Sequence, residues 1–393
     1  MNFRLKIPFI SLLLGFNLQA ATVKSNLDFS IHQDYISTRA MAMGNAFTAV
    51  VDDHSAMFYN PAVLAIRKKG IVRAYLKGAF SDSFFGLLDD LSRSGNNPSQ
   101  TGGLNEANEI LSSNLGKSFL GRGSLGGIWA RPGWSIGFIP MDIKIDLAIH
   151  KQGPAALSVN SYLDTTFAYA YATDSKKISK MLGGKFYWGV TGKLINRVFY
   201  SDTINPLSIS QGADVFDKSR ASEGLVFDVD LGTYWTPKVP KKGMFSFFKV
   251  AKPSFAVVMR NALDYGYMTN LQLLGENSNT PTKLKRRLDL GSKWDLPNFW
   301  VFDPHMGFDV RDILHENWTI KKGVHVGAEL FWEMFSWWKG HWSMGINQGY
   351  LSYGVGARFA LFRLDISSWG DEVSSDSAPI ESRRYMIDMS LEF

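Results

Sequence analysis

The sequence predicts an all-β fold: a transmembrane antiparallel β-barrel of about 14 strands. Three observations predict it. Long segments alternate with period two, a secretory-type leader opens the chain, and an alternating final segment ends on Phe393. Composition agrees. Of 393 residues, 14% are aromatic, with 28 Phe, 14 Tyr and 12 Trp. Such side chains suit strands and membrane interfaces, because their bodies are apolar while Tyr and Trp carry a polar edge.

The alternation comes first. Leu225, Phe227, Val229, Leu231, Thr233 and Trp235 share one face, and Asp228 and Asp230 lie on the other. In Val324–Met334, Val324, Val326, Ala328, Leu330 and Trp332 oppose His325, Gly327 and Glu329. In Leu284–Leu296, Leu284, Leu288, Leu290, Trp294 and Leu296, interrupted by Arg286 and Ser292, oppose Arg287, Asp289 and Lys293. These segments exceed the usual soluble strand of about five or six residues and match the roughly nine to eleven that a tilted strand needs to cross a bilayer. Charges such as Asp228 and Asp230 are costly against lipid and so belong to a wet lumen. Trp235, Trp294 and Trp332 near segment ends fit an interfacial girdle.

Further candidates are Gly70–Phe80, Ser124–Ala130, Trp134–Ile139, Ile143–His150, Ser158–Thr173 and Lys185–Tyr200. Ser254–Asn261, Phe299–Arg311, His341–Gln348, Tyr350–Ile366 and Arg384–Phe393 complete the set. Within Tyr350–Ile366 the parity slips at Ala360–Phe362, which predicts a β-bulge. Ser81–Ser118, Ser201–Ala221, Gly275–Lys283 and Asp371–Ser382 read as loops, with short amphipathic helices over Phe84–Leu91 and Asn105–Leu115.

At the other end, Arg4 and Lys6 precede the apolar run Ile7–Phe16, and small residues follow at Ala20 and Ala21. That order is a secretory signal peptide, with cleavage expected after Ala20. No other run approaches a spanning helix, so membrane contact requires a closed barrel, in which every backbone group is paired. The final segment places Tyr385, Ile387, Met389, Leu391 and Phe393 on one face, opposite Met386, Asp388, Ser390 and Glu392. An aromatic terminus on such a strand resembles the signal that outer-membrane barrels present to their assembly machinery.

Other chemistries find little support. The net charge of +6 falls when Arg4 and Lys6 leave, and no basic face for nucleic acid stands out. Cysteine is absent, so thiolate sites and disulfides are excluded. Gly121-Arg122-Gly123-Ser124-Leu125-Gly126 matches the dinucleotide pattern, but the following Pro132-Gly133 would break the helix that the fingerprint requires. Asp52-Asp53-His54 lacks the spacing to converge on a metal. The seven His are scattered, and the sequon Asn317-Trp318-Thr319 has no role in a bacterial envelope. Neither an enzyme nor a cofactor is expected.

Between leader and first strand, Ser37–Leu64 does not alternate. Thr38 is placed to cap a short helix reaching Phe47–Val51, and Asn60-Pro61 imposes a turn. Arg39-Ala40, Met43-Gly44-Asn45-Ala46, Asp52-Asp53 and Phe58-Tyr59-Asn60-Pro61-Ala62 resemble the FadL-type family of outer-membrane barrels, the long-chain fatty-acid transporters, and their PorV-type relatives. Asp309-Val310-Arg311-Asp312, His325–Glu329 and Asn347–Tyr350 extend the resemblance, the last two nearer the PorV type.

The resemblance implies a 14-stranded barrel with an N-terminal hatch in its lumen. The expected units are a signal peptide (1–20), a hatch (21–69) and a barrel (70–393). Arg39, Gly44, Asn45, Asp52, Asp53, Asn60, Pro61 and Ala62 are the expected hatch or gate residues. It also implies passive transport of apolar small molecules, entering from outside and leaving laterally, or else a secretion-linked or surface-anchoring scaffold. The expected partners are outer-membrane lipid, the barrel-assembly machinery, an apolar ligand and, on the second reading, secretion-system proteins.

Overall fold

The computed structural model describes residues 35–95, 100–149, 155–211, 218–239, 248–274, 279–374 and 378–393. The expected leader, its cleavage site and residues 21–34 lie outside the described residues.

Fourteen antiparallel strands close into a ring in which each pairs with its sequence neighbours and the last pairs with the first. They are β1 Ile71–Ser81, β2 Ser118–Arg131, β3 Trp134–Ile149, β4 Leu157–Asp174, β5 Gly184–Ile204, β6 Ser222–Pro237 and β7 Pro253–Arg260. The second half comprises β8 Arg287–Asp295, β9 Phe302–Val310, β10 Val324–Phe335, β11 Trp338–Asn347, β12 Tyr350–Phe359, β13 Phe362–Glu372 and β14 Glu381–Glu392. Closure runs from Arg73 opposite Glu392 to Ser81 opposite Arg384.

Alternation decides what faces where. Leu125, Phe138, Phe167, Leu231, Trp342 and Ile387 are exposed on the outer wall. Asp142, Asp164, Asp228, Asp230, Asp289 and Glu329 are buried inside. A soluble protein has the opposite polarity. A closed ring with an apolar outer band and no free sheet edge is the arrangement that lets strands cross a bilayer, since every ladder hydrogen bond is made within the ring. The inward charges meet partners rather than an open channel. Arg122 pairs with Asp142, Arg197 with Asp164 and Lys193 with Asp230.

The strand count of 14 agrees with the expectation, but two errors cancel in the sequence reading. Trp134–Ile139 and Ile143–His150 are one strand, β3. Ile139 and Pro140 together oppose Gly126 of β2, and Pro140 and Met141 oppose Thr165 of β4, so one extra residue breaks the ladder on both sides. Burial shifts parity there, from Ser135, Gly137 and Ile139 to Asp142, Lys144 and Asp146. Conversely, Tyr350–Ile366 is two strands. The slip read as a bulge is a two-residue hairpin turn, Ala360-Leu361, between the pair Phe359 and Phe362, with Ala360 left-handed at φ 52°. A tight turn shifts parity as a bulge does, so alternation alone does not separate them. Leu284 is a further correction: it precedes β8 and is buried with Ile195 and Val226.

The long connections lie at one end of the ring. There α3 (Phe84–Gly95) and α4 (Gln100–Ser113), both anticipated, pack with α6 (Pro206–Ser210). The other end has shorter turns, of which β4–β5 carries α5 (Lys176–Leu182) and β6–β7 carries α7 (Phe248–Ala251). Trp235, Trp294 and Trp332 all lie toward this short-turn end, as do Trp129, Trp134 and Trp188.

Candidate functional site

Ahead of β1, residues 36–51 and 54–64 are all buried. Helix α1 (Thr38–Ala42) packs on β11 to β14, and the 3-10 turn Pro61–Ile66 packs on β3 to β6. The segment therefore touches both sides of the ring and lies across its interior. Its secondary structure is shorter than expected. Thr38 sits within α1 rather than capping it, since Ser37 is the residue before the helix, and that cap makes no side-chain bond. The helix stops because Gly44 and Asn45 are left-handed, at φ 62° and 64°, a conformation that Gly and Asn tolerate best.

Each expected residue has a definite place. Arg39 donates through Nε and Nη2 to the two oxygens of Glu329 on β10, at 2.8 and 2.5 Å. Its Nη1 reaches Asp52 at 2.5 Å and Asp53 at 3.3 Å. One guanidinium thus joins the acidic pair to the wall, and its planar fork is suited to two-pronged carboxylate contact. The backbone carbonyl of Asn45 accepts from Arg311 at 2.9 Å, and its side-chain oxygen accepts from the same nitrogen. Gly44 offers its carbonyl to His325 Nδ1 at 2.9 Å. The amides of Phe47 and Thr48 donate to Asp309 at 2.8 and 2.7 Å.

The Asn-Pro-Ala element anchors the opposite side. Asn60 Nδ2 donates to the carbonyls of Thr48 and of Thr233 on β6, both at 3.1 Å, while its Oδ1 caps the 3-10 turn by accepting from Ala62 N. Pro61 fills the first position of that turn, where a missing N–H costs nothing.

Asp52-Asp53-His54 does not form a metal centre. Both carboxylates turn to Arg39, while His54 Nδ1 lies 3.3 Å from Arg73 Nη1. Burial, and then the charge of Arg73, push His54 well below its ordinary range, so it is neutral near pH 7. Among the described residues no group of three or more His, Asp or Glu is arranged to hold a metal ion. Gly121–Gly126 lies within β2, where Gly121 makes room for Phe84 and Gly126 for Tyr75.

Two features were missed by the sequence reading. The first is a polar hub on Glu329, which also takes His305 Nε2 at 2.6 Å and Ser343 Oγ at 3.0 Å, while His341 links it to Asp365. The second is a set of glycine seats on the inner wall. A Cβ on Gly232 would lie 2.3 Å from Asn60 Oδ1, on Gly189 2.6 Å from Ala62 N, and on Gly291 2.7 Å from Thr48 Cβ. On Gly307 it would lie 2.5 Å from the Ala46 carbonyl, on Gly327 2.2 Å from that of Met43, and on Gly354 2.6 Å from Ala42 Cβ. The signal was present: Gly232, Gly291 and Gly327 already lay on the inward faces of their strands.

The interior is tightly filled. Among the described residues, two cavities between the segment and the wall measure about 40 and 30 Å³, and a larger one of about 750 Å³ lies at the β9–β14 wall beside His305, Glu329, Trp342 and Val355. The 40 Å³ cavity lies behind the β3 interruption, between Ile139 and Asp142 on the wall and Tyr35 and Phe58 of the segment. At the long-loop end Phe84, Leu87, Ile110, Leu111, Leu147 and Val159 form an apolar cluster.

No family model and no curated relative matches the sequence. Among solved structures the chain is similar to the Ralstonia pickettii toluene transporter TbuX, with 10% identity and TM-score 0.45 over 91% of this chain and 98% of that one. It is similar to the CymD monoaromatic hydrocarbon channel, at 10% and 0.46 over 90% and 96%. A third is the Pseudomonas putida toluene transporter TodX, at 8% and 0.43 over 91% and 97%. The architecture rests on the strand pairing above: the chain is a closed 14-stranded antiparallel barrel of the outer-membrane type.

Proposed function

We propose that this protein is a passive outer-membrane route for apolar small molecules, closed in this state by its internal segment. The observation that carries the reading is the break in β3. Around Pro140-Met141 the ladder is interrupted toward both neighbours, and the internal cavity lies directly behind it. Wall pairing is weakest where the extra residue sits, so this is where a solute could leave sideways into lipid.

Entry would begin at the apolar cluster under α3, α4 and α6, where burial of apolar solute surface contributes about 25 cal/mol per Å². Passage along this route would require the segment to shift on its glycine seats, because the cavities between segment and wall are far below the roughly 300 Å³ of a small-molecule pocket. The expected gate residues, Arg39, Gly44, Asn45, Asp52, Asp53, Asn60, Pro61 and Ala62, are then the contacts that set the cost of opening.

Deletion of Pro140 is the test. It removes the extra residue, restores unbroken alternation and leaves the inward face intact. Uptake of a fluorescent long-chain fatty acid, or of toluene, into proteoliposomes is expected to fall severalfold with the barrel still folded. Undiminished uptake, or none by the unaltered protein for any apolar probe, would refute the reading.

The tight seat favours a second reading, a scaffold whose lumen never opens and which serves secretion or surface anchoring. Thr38 Oγ1 and Met386 Sδ lie 3.0 Å apart. Cysteines at these two positions, joined by a short thiol crosslinker, would abolish uptake if the segment moves and leave any partner capture from solubilised membranes unchanged.

A further inference from the structure

The short-turn rim of the barrel is two-faced. Between the start of β1 and β7 it is basic. Lys68 and Lys69 precede β1, Arg131 marks the β2–β3 turn, and Lys176, Lys177, Lys180 and Lys185 surround α5. Lys238, Lys249 and Lys252 belong to the β6–β7 connection, and all ten of these cations are exposed. Within these turns Asp174 is the one exposed acid among the described residues. From β8 to β13 the rim changes character: Phe299, Trp300, Phe335, Trp337, Phe359 and Phe362 are exposed, alongside the acids Asp303 and Glu333.

Around α5 no ion pair to Lys176, Lys177, Lys180 or Lys185 is formed among the described residues, in contrast to the opposite end. At the long-loop end Arg93 pairs with Asp89 and Asp90, Arg220 with Asp202, Lys283 with Asp264 and Lys285 with Glu316. Like charges held this close on one rim repel one another, and the four lysines around α5 favour an external anion among them.

What that anion belongs to follows from the neighbours. Met181 is 76% exposed, beside Lys177 and Lys180, and Val250 is 58% exposed, between Lys249 and Lys252. Trp129 and Trp188, exposed on the outer wall, lie two and three residues from Arg131 and Lys185. Tryptophan at a strand end marks the lipid–water boundary, so the cations stand at the level of the headgroup phosphates, with apolar side chains beside them to enter the acyl layer. Adjacent basic and apolar side chains at an interface are the chemistry of anionic-lipid contact. A cleft of about 420 Å³ beside α5, lined by Lys176, Lys185, Ser179, Phe186 and Tyr187 with the one acid Asp174, has room for one headgroup.

We propose that the rim from β1 to β7 binds the anionic phospholipid headgroups of the leaflet at the short-turn end, and that α5 with its cleft is the principal contact. Short turns face the periplasm in barrels of this kind, so the leaflet is the inner one. The proposal does not depend on whether the lumen conducts.

The test titrates the full-length folded protein in detergent with phosphatidylglycerol and with phosphatidylethanolamine of the same chains, counting bound lipids by native mass spectrometry. Phosphatidylglycerol is expected to bind preferentially and to be lost as salt rises. Combined K176Q, K177Q, K180Q and K185Q should weaken it at least about tenfold, since each interfacial cation contributes to anionic-lipid contact. Inorganic phosphate should not compete. Heat-modifiable migration on gels checks folding, and a separate K238Q, K249Q and K252Q variant should give a smaller loss in the same direction. Equal binding of the two lipids, or a full phosphatidylglycerol count in both variants, overturns the proposal. Displacement of lipid by an acidic peptide at equal charge concentration would assign the rim to a protein partner and overturn it as well.

Discussion

Arg39 ties the internal segment to the wall by a charged, two-pronged contact. Its partner Glu329 is buried, and removal of the cation leaves that carboxylate with donors from His and Ser alone. Breaking a buried pair from one side costs about 3–5 kcal/mol. Arg39→Ala is expected to lower the temperature at which the folded form converts on heat-modifiability gels, and Arg39→Lys to recover little, because a point charge cannot make the two-pronged contact. His54 gives a pH dependence of known sign. Its proton affinity is depressed in the folded state, so the unfolded chain takes up the proton first as pH falls. The stability is fully present above the ordinary histidine range, near pH 6.5, and is lost as pH drops through the window below it. The folded form should melt earlier at pH 5 than at pH 7.5, and His54→Gln should narrow that gap; an unchanged gap would count against the assignment.

At the scale of elements, the glycine seats and the segment specify each other. Backbone lies against backbone at Gly189, Gly307 and Gly327, which only a residue without Cβ allows. Gly232→Leu would drive a side chain into Asn60 and Pro61 and should dislodge the 3-10 turn without disturbing the ladder. Faster cleavage of the internal segment by trypsin, with unchanged β-sheet circular dichroism, is the expected outcome. Resistance equal to that of the unaltered protein would show that the seat is looser than these distances imply. The same scale explains where strand boundaries were misread. The extra residue in β3 and the Ala360-Leu361 turn both shift parity by one, and only the partner strand reveals whether the chain continues or reverses.

At the scale of the whole molecule, closure depends on the last strand. Tyr385, Ile387, Met389, Leu391 and Phe393 all point outward from β14, which pairs with β1, and the Phe393 amide and carbonyl both bond to Val72. We propose that this outward row serves as a barrel-assembly signal. Removal of Phe393 should slow insertion in a reconstituted barrel-assembly assay while leaving detergent refolding nearly unchanged. Equal insertion rates would remove the assignment. The mouth is a second whole-molecule feature. β2 to β5, at 14 to 21 residues, outrun the roughly nine to eleven that a bilayer requires, and their excess builds the wall against which α3, α4 and α6 pack.

The sequence by itself determined the fold class and, along most strands, the inward and outward faces; the strand count agreed only because two boundary errors cancelled. Class and faces follow from a period of two, which depends on nearest neighbours along the chain and on the cost of charge in lipid. Resemblance to the FadL-type motif singled out Arg39, Gly44, Asn45 and Asn60 as expected hatch residues. Only the tertiary structure decided what they touch. Arg39 meets a glutamate 290 positions away, Asn60 a carbonyl 173 positions away, and the seats come from separate strands around the ring. The filling of the lumen and the basic half of the rim were likewise beyond the linear text, because ring closure brings together residues whose separation along the chain carries no trace of their distance in space.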